Sequence, residues 1–262
     1  MRQSLKYLFF LVFLCVFTAC STKKNTFFTR AFHNTTTHYN WYFNGEETLK
    51  KAIKKLEEKH QEDYNQLLPI FPIGTEKDAQ SITPSLDKAI KKGAKAISRH
   101  SIFIKGEEHN RWVDDCYLMI AKSYFFQREY VKAIEAFRFI SRQFKGTEID
   151  FEAQLWLCRS YINKGDLSSA EFLFNTILIE ENFPEKFNKE FSLVYAHYHI
   201  KNQDFFSASE ELLAAIEETK KSKEKSRYHF ILAQIYHQQE NYTEATKPVS
   251  YTHLTLPTTL SV

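Results

Sequence analysis

The chain has 262 residues, a formal net charge of +3 at pH 7, 43% hydrophobic residues and 26% charged ones. That hydrophobic fraction can build a core, which excludes wholesale disorder, and a nearly neutral chain gives no general electrostatic footing for nucleic acid. Only 6 Gly and 6 Pro occur among long Glu/Lys/Ala/Leu-rich stretches, so the composition points to an all-α protein with short turns.

The chain opens with a short basic start, Arg2 and Lys6, and an uncharged apolar run that ends at Thr18-Ala19-Cys20. A run this short does not span a bilayer core of roughly 30 Å as a helix, and it fits a secretory signal peptide over residues 1–19. The small residues before Cys20 resemble the lipobox of bacterial lipoproteins. That resemblance implies that Cys20 is lipid-modified and becomes the first mature residue, with residues 20–33 a lipid-anchored linker. Losing Arg2 and Lys6 then takes the formal charge from +3 to +1. Ser21 after the cysteine, and no acidic cluster in Thr22-Lys23-Lys24-Asn25, place the body on the periplasmic face of the outer membrane by analogy with bacterial sorting rules. An ordinary signal peptide with a chance cysteine is the alternative.

Residues 34–63 read as a degenerate helical pair, with Tyr39, Phe43, Leu49, Ala52, Ile53 and Leu56 apolar and Asn44-Gly45 as the turn. Pro69, Pro72, Gly74 and Pro84 predict a loop over 68–84. Residues 85–103 return to helix and carry Lys88, Lys91, Lys92, Lys95 and Arg99; this basic face is either solvated or turned to anionic lipid or an acidic partner. Together, residues 34–112 form an N-terminal helical region.

An internal repeat governs residues 113–247. Ala133, Ala170, Ala208 and Ala245 recur at intervals of 37, 38 and 37 residues. In the same register stand the small residues Ala121, Cys158, Ala196 and Ala233, then Tyr124, Tyr161, His199 and Tyr236. Tyr130, Leu167, Phe205 and Tyr242 follow in phase, and so do Phe137, Phe174 and Leu212. Small residues let paired helices approach and large ones fill the space between neighbouring pairs. Short polar turns, such as Gln127-Arg128-Glu129 and Lys201-Asn202-Gln203-Asp204, interrupt the period at matching places. The pattern resembles four tetratricopeptide repeats, giving a helical-hairpin solenoid.

In the last repeat Pro248 is expected to end the helix, and residues 248–262 contain no Lys, Arg, Asp or Glu. They resemble translated sequencing-adapter read-through, which makes the chain an N-terminal fragment; a native, apolar, β-prone tail is the other reading. Cys116 and Cys158 fall inside apolar helical patterns, as buried thiols or as an inter-helix disulfide.

No His-Glu-x-x-His, Gly-rich phosphate loop, Gly-x-Ser-x-Gly or Cys-x-x-Cys occurs, so no enzymatic activity, cofactor or metal is expected. His197 and His199 are two apart and point to different helix faces, and His33 and His38 sit in an aromatic segment as core or interface residues. Binding is the expected work of such repeats. Fixed positions on their first helices supply an apolar column, Leu118, Leu155, Leu193 and Phe230. Beside it run a polar column, Lys122, Arg159, His197 and Gln234, and a third line, Phe125, Ile162, Ile200 and His237. This makes a groove for a helix or an extended segment carrying an acidic residue, unless the apolar positions simply pack against the neighbouring helix.

The segment His33-Asn34-Thr35-Thr36-Thr37-His38-Tyr39-Asn40-Trp41-Tyr42-Phe43-Asn44-Gly45, with the candidate lipid-bearing cysteine and the repeats, resembles the PorW/SprE lipoproteins of Bacteroidetes. The resemblance implies a lipid-anchored periplasmic adaptor of the type IX secretion system, which exports proteins and supports gliding motility. Its partners would be the periplasmic ring and the outer-membrane translocon, with the membrane held through Cys20 and no nucleic acid involved. A glycan-capture lipoprotein and an outer-membrane-assembly factor are the alternatives.

Overall fold

A computed structural model describes Thr22 and residues 24–253. Helix α1 (Phe27–Thr36) leads through a π-helical stretch (Thr37–Tyr42) into α2 (Phe43–Lys59), and α3 (Glu76–His100) follows. A two-stranded antiparallel hairpin, β1 (Phe103–Ile104) and β2 (Glu107–Glu108), precedes α4 (Val113–Phe126). Then come α5 (Tyr130–Gln143), α6 (Glu148–Lys164), α7 (Leu167–Leu178), a 3₁₀ turn (Glu185–Phe187), α8 (Asn188–Lys201), α9 (Phe205–Glu218), α10 (Ser222–Gln238) and α11 (Tyr242–His253). The fold is all-α and built of helical hairpins. Residues divide into two compact units, one holding the described residues up to Lys55 with Ala79–Glu129, the other Leu56–Asp78 with the chain from Tyr130 onward.

In the first unit α1 starts with a reciprocal cap: Thr29 N–H donates to Thr26 Oγ1 (3.3 Å) and Thr26 N–H to Thr29 Oγ1 (2.9 Å). No reversal occurs at Asn44-Gly45, where the backbone stays helical. Gly45 is instead a close-approach residue, since a Cβ there would lie 2.7 Å from Met119 Sδ of α4. Gly93 of α3 has the same role, with Ile120 Cγ1 at 2.9 Å from the position its Cβ would take.

The expected loop over 68–84 is shorter than its prolines suggest. Thr75 and Asp78 form a capping box, with Thr75 N–H donating to Asp78 Oδ2 (2.9 Å) and Asp78 N–H to Thr75 Oγ1 (3.3 Å), so α3 begins at Glu76. Pro84 lies inside the helix and withholds one backbone hydrogen bond. Burial of Ile82, Leu86, Ala89, Gly93 and Ala96 at helical spacing outweighs that loss. Lys88, Lys91, Lys95 and Arg99 are exposed, and Lys92 is half-buried.

In the second unit the repeat register is a packing register. Ala133, Ala170 and Ala208 are fully buried, and so are Phe137, Phe174 and Leu212 four positions on. Phe137 stacks on Trp156 (6.2 Å between centroids) and Phe174 on Tyr195 (4.4 Å). Each turn between paired helices closes the same way. Arg128, Gly165, Gln203 and Glu240 all have positive φ, between 57° and 87°. The next residue donates its N–H back five positions, from Glu129 to Tyr124 O and from Asp204 to His199 O, as in a Schellman motif. Asp166 and Asp204 then cap α7 and α9 by accepting from Ser169 and Ser207 N–H.

One expectation changes here, and one of two open readings is settled. The last helix does not stop at Pro248: α11 runs to His253 with the proline inside it, and the helix is packed against α10. Cys116 and Cys158 are both buried free thiols, and burial pushes each well above its ordinary pKa. Cys20, the signal sequence and residues 254–262 lie outside the described residues.

Candidate partner-binding groove

Nine of the twelve groove positions belong to the second unit, on α6, α8 and α10. Leu155, Ile162 and Leu193 are buried, as are Arg159 and His197; Ile200, Phe230 and Gln234 are half-buried, and His237 is exposed. The other three lie on α4 in the first unit, where Leu118 and Phe125 are buried core and Lys122 is half-buried. The groove of the second unit is not open. Residues 62–71 of the same chain lie along it as a strap.

The strap is held through its main chain. On one face of α10, at spacings of three and four, stand Arg227, Phe230 and Gln234. Gln234 Oε1 accepts from Leu68 N–H (3.0 Å), while its Nε2 donates to Gln66 O (2.7 Å) and Tyr64 O (3.3 Å). Arg227 donates to Ile70 O (3.0 Å), Pro69 O (2.6 Å) and Glu62 Oε1 (2.7 Å). Between them Phe230 meets the Tyr64 ring edge-on at 5.4 Å. Leu68 and Ile70 join the core formed by Leu193, Leu212, Ile231 and Ile235, with Leu67 and Phe71 packed against it.

The end of the strap rests on charge. The Phe71 ring centroid lies 3.9 Å from the Arg159 guanidinium, which also lies over the Trp156 ring at 3.9 Å. Burial draws Arg159 down to about 10, and Glu190, whose Oε1 is 3.4 Å from Nη1, opposes the shift; the group stays charged at neutral pH. His197 faces Phe71 edge-on at 5.9 Å. Burial lowers His197 to about 3, with the Arg159 and Lys201 charges adding to the effect, so it is a neutral imidazole. The groove therefore holds an apolar segment with Pro69 inside it and Pro72 directly after it, fixed by side-chain hydrogen bonds to its main chain.

Arg227, the strap and the main-chain ladder were not among the expected site residues. The available signal was the apolar run Leu67-Leu68-Pro69-Ile70-Phe71 in a loop, where four large side chains need somewhere to bury.

The His33–Gly45 segment is a joint inside the first unit. His33 Nδ1 meets His100 Nδ1 at 2.9 Å, and Asn110 Nδ2 donates to Thr37 Oγ1 and to His100 O, both at 2.8 Å. Asn34 Oδ1 accepts from Arg111 N–H (2.8 Å), and His38 stacks on Trp112 at 3.9 Å. Among the described residues no cluster of three or more His, Cys, Asp or Glu could hold a metal ion, and no helix is long and apolar enough to cross a membrane.

No family model matches the chain, and no curated protein matches it in sequence. Its fold is similar to the crystal structure of BtubC (BKLC) from P. vanneervenii, with a TM-score of 0.55 at 15% identity. The similarity covers 80% of this chain and 90% of that one. At that identity it speaks for the helical fold alone.

Proposed function

We propose that this protein is a lipid-anchored periplasmic adaptor of the type IX secretion system, engaging partner proteins through its helical repeats. The observation that carries the adaptor reading is the groove, whose Arg227, Gln234 and Phe230 grip an apolar segment by its main chain and side chains. The choice of secretion system rests on the resemblance of the His33–Gly45 segment and on the lipobox-like residues before Cys20. The test is to delete the gene in the host, quantify proteins released to the medium, and complement with wild type and with Cys20→Ala. Loss of proteins bearing type IX signals, restored by wild type and not by Cys20→Ala, is the expected result. An unchanged set of secreted proteins would sink the secretion role.

A further inference from the structure

Helix α1 is built inside out. Its buried stripe is polar: Thr29, His33 and Thr37 recur every four residues, all closed to solvent. Thr29 Oγ1 donates there to Lys24 O (2.7 Å), His33 Nδ1 pairs with His100 Nδ1, and Thr37 Oγ1 accepts from Asn110. The aromatic residues are thereby turned outward. Phe27 is 72% exposed and Phe28 73%, and Phe32, one turn beyond Phe28, is 43% exposed; Tyr39 at 63% continues the face through the π-helical stretch. Leaving this much aromatic surface in water is unfavourable unless something covers it.

Charge and tether name the cover. The first acidic residue of the chain is Glu46, so residues 1–45 carry only cations. Lys24 and Arg30 beside the aromatic face are exposed, and so is Arg99, whose neighbour His100 lies 6.4 Å from the Phe32 ring. Six residues separate Cys20 from Phe27, a reach of about 20 Å at full extension. Aromatic residues on one side with exposed cations around them are the chemistry of a helix lying in the headgroup region of a bilayer.

We infer that α1 is a membrane-interfacial helix, its Phe27, Phe28 and Phe32 side chains seated in a bilayer with anionic headgroups. The inference rests in part on the reading of Cys20 as the lipid anchor. A lipid on Cys20 attaches the chain at one point, and an aromatic helix next to it supplies a second attachment. It would also fix the orientation of the first unit at the surface, which a lipid at Cys20 alone does not.

The test uses the mature chain from residue 20 carrying Cys20→Ser, so that no acyl group contributes, floated with vesicles of phosphatidylethanolamine and phosphatidylglycerol. The chain should float with these vesicles. Phe27→Ser combined with Phe28→Ser should lower the partition coefficient by about tenfold or more with the melting temperature unchanged, since both rings are exposed. Failure of the parent chain to float, or equal flotation of the serine variant, overturns the inference. A dimer that forms without vesicles and is abolished by the same substitutions would assign the face to a second copy and overturn it as well. The mass of wild-type protein extracted from host membranes reads acylation of Cys20 separately, so the anchor and the interfacial helix can fail independently.

Discussion

Arg128, Gln203 and Glu240 hold the left-handed conformation that Gly165 adopts at the matching turn, with φ of 64°, 61°, 57° and 87° in turn. A side chain in that region costs on the order of 1 kcal/mol, which glycine avoids while losing some of the gain to unfolded-state entropy. Gln203→Gly should therefore stabilise the second unit by about 0.5–1 kcal/mol in a urea melt, where the same change in a helix interior would destabilise. His197 gives a second residue-scale prediction. Its folded pKa, about 3, lies below the ordinary value of 6.5, so below that value the unfolded chain binds more protons. The stability it contributes is complete above pH 6.5 and is lost as the pH falls toward 3. Between pH 7 and pH 5 the loss is about 2 kcal/mol from this one residue. Unfolding at the two pH values in wild type and His197→Gln should show a smaller pH dependence in the variant.

At the scale of elements, the turns and paired helices of the repeats were legible because their determinants are local. The small residue and the left-handed turn position recur within each repeat of 37 or 38 residues, and the aspartate cap in two of them. The start of α3 was missed because Pro84 weighs heavily as a local breaker, whereas the signal that decides the matter, Thr75-x-x-Asp78, lies nine residues earlier. Asn44-Gly45 reads as a turn by composition, yet its glycine answers to Met119, a contact that no local pattern shows. The strap escaped notice for the same reason. Its hydrogen bonds join residues 157 to 170 positions apart, and the strap side of most of them is a backbone carbonyl, which every residue type possesses. Nine of the twelve candidate groove positions lie on α6, α8 and α10, where the protein's own residues 62–71 run along them.

For the whole molecule, that occupancy bears on how an adaptor would work. A partner segment entering the groove of the second unit must displace residues 62–71 or dock beside them, next to exposed His237. The most direct test is amide hydrogen exchange across the intact protein, followed by mass spectrometry. In wild type, the peptide covering residues 62–71 should be protected together with α8 and α10. Arg227→Ala combined with Gln234→Ala, which removes charge-assisted and neutral bonds worth on the order of 3 kcal/mol, should release that peptide and leave α5 and α6 protected. A strap that exchanges as fast as an unstructured peptide in wild type, while α8 and α10 stay protected, would contradict the account.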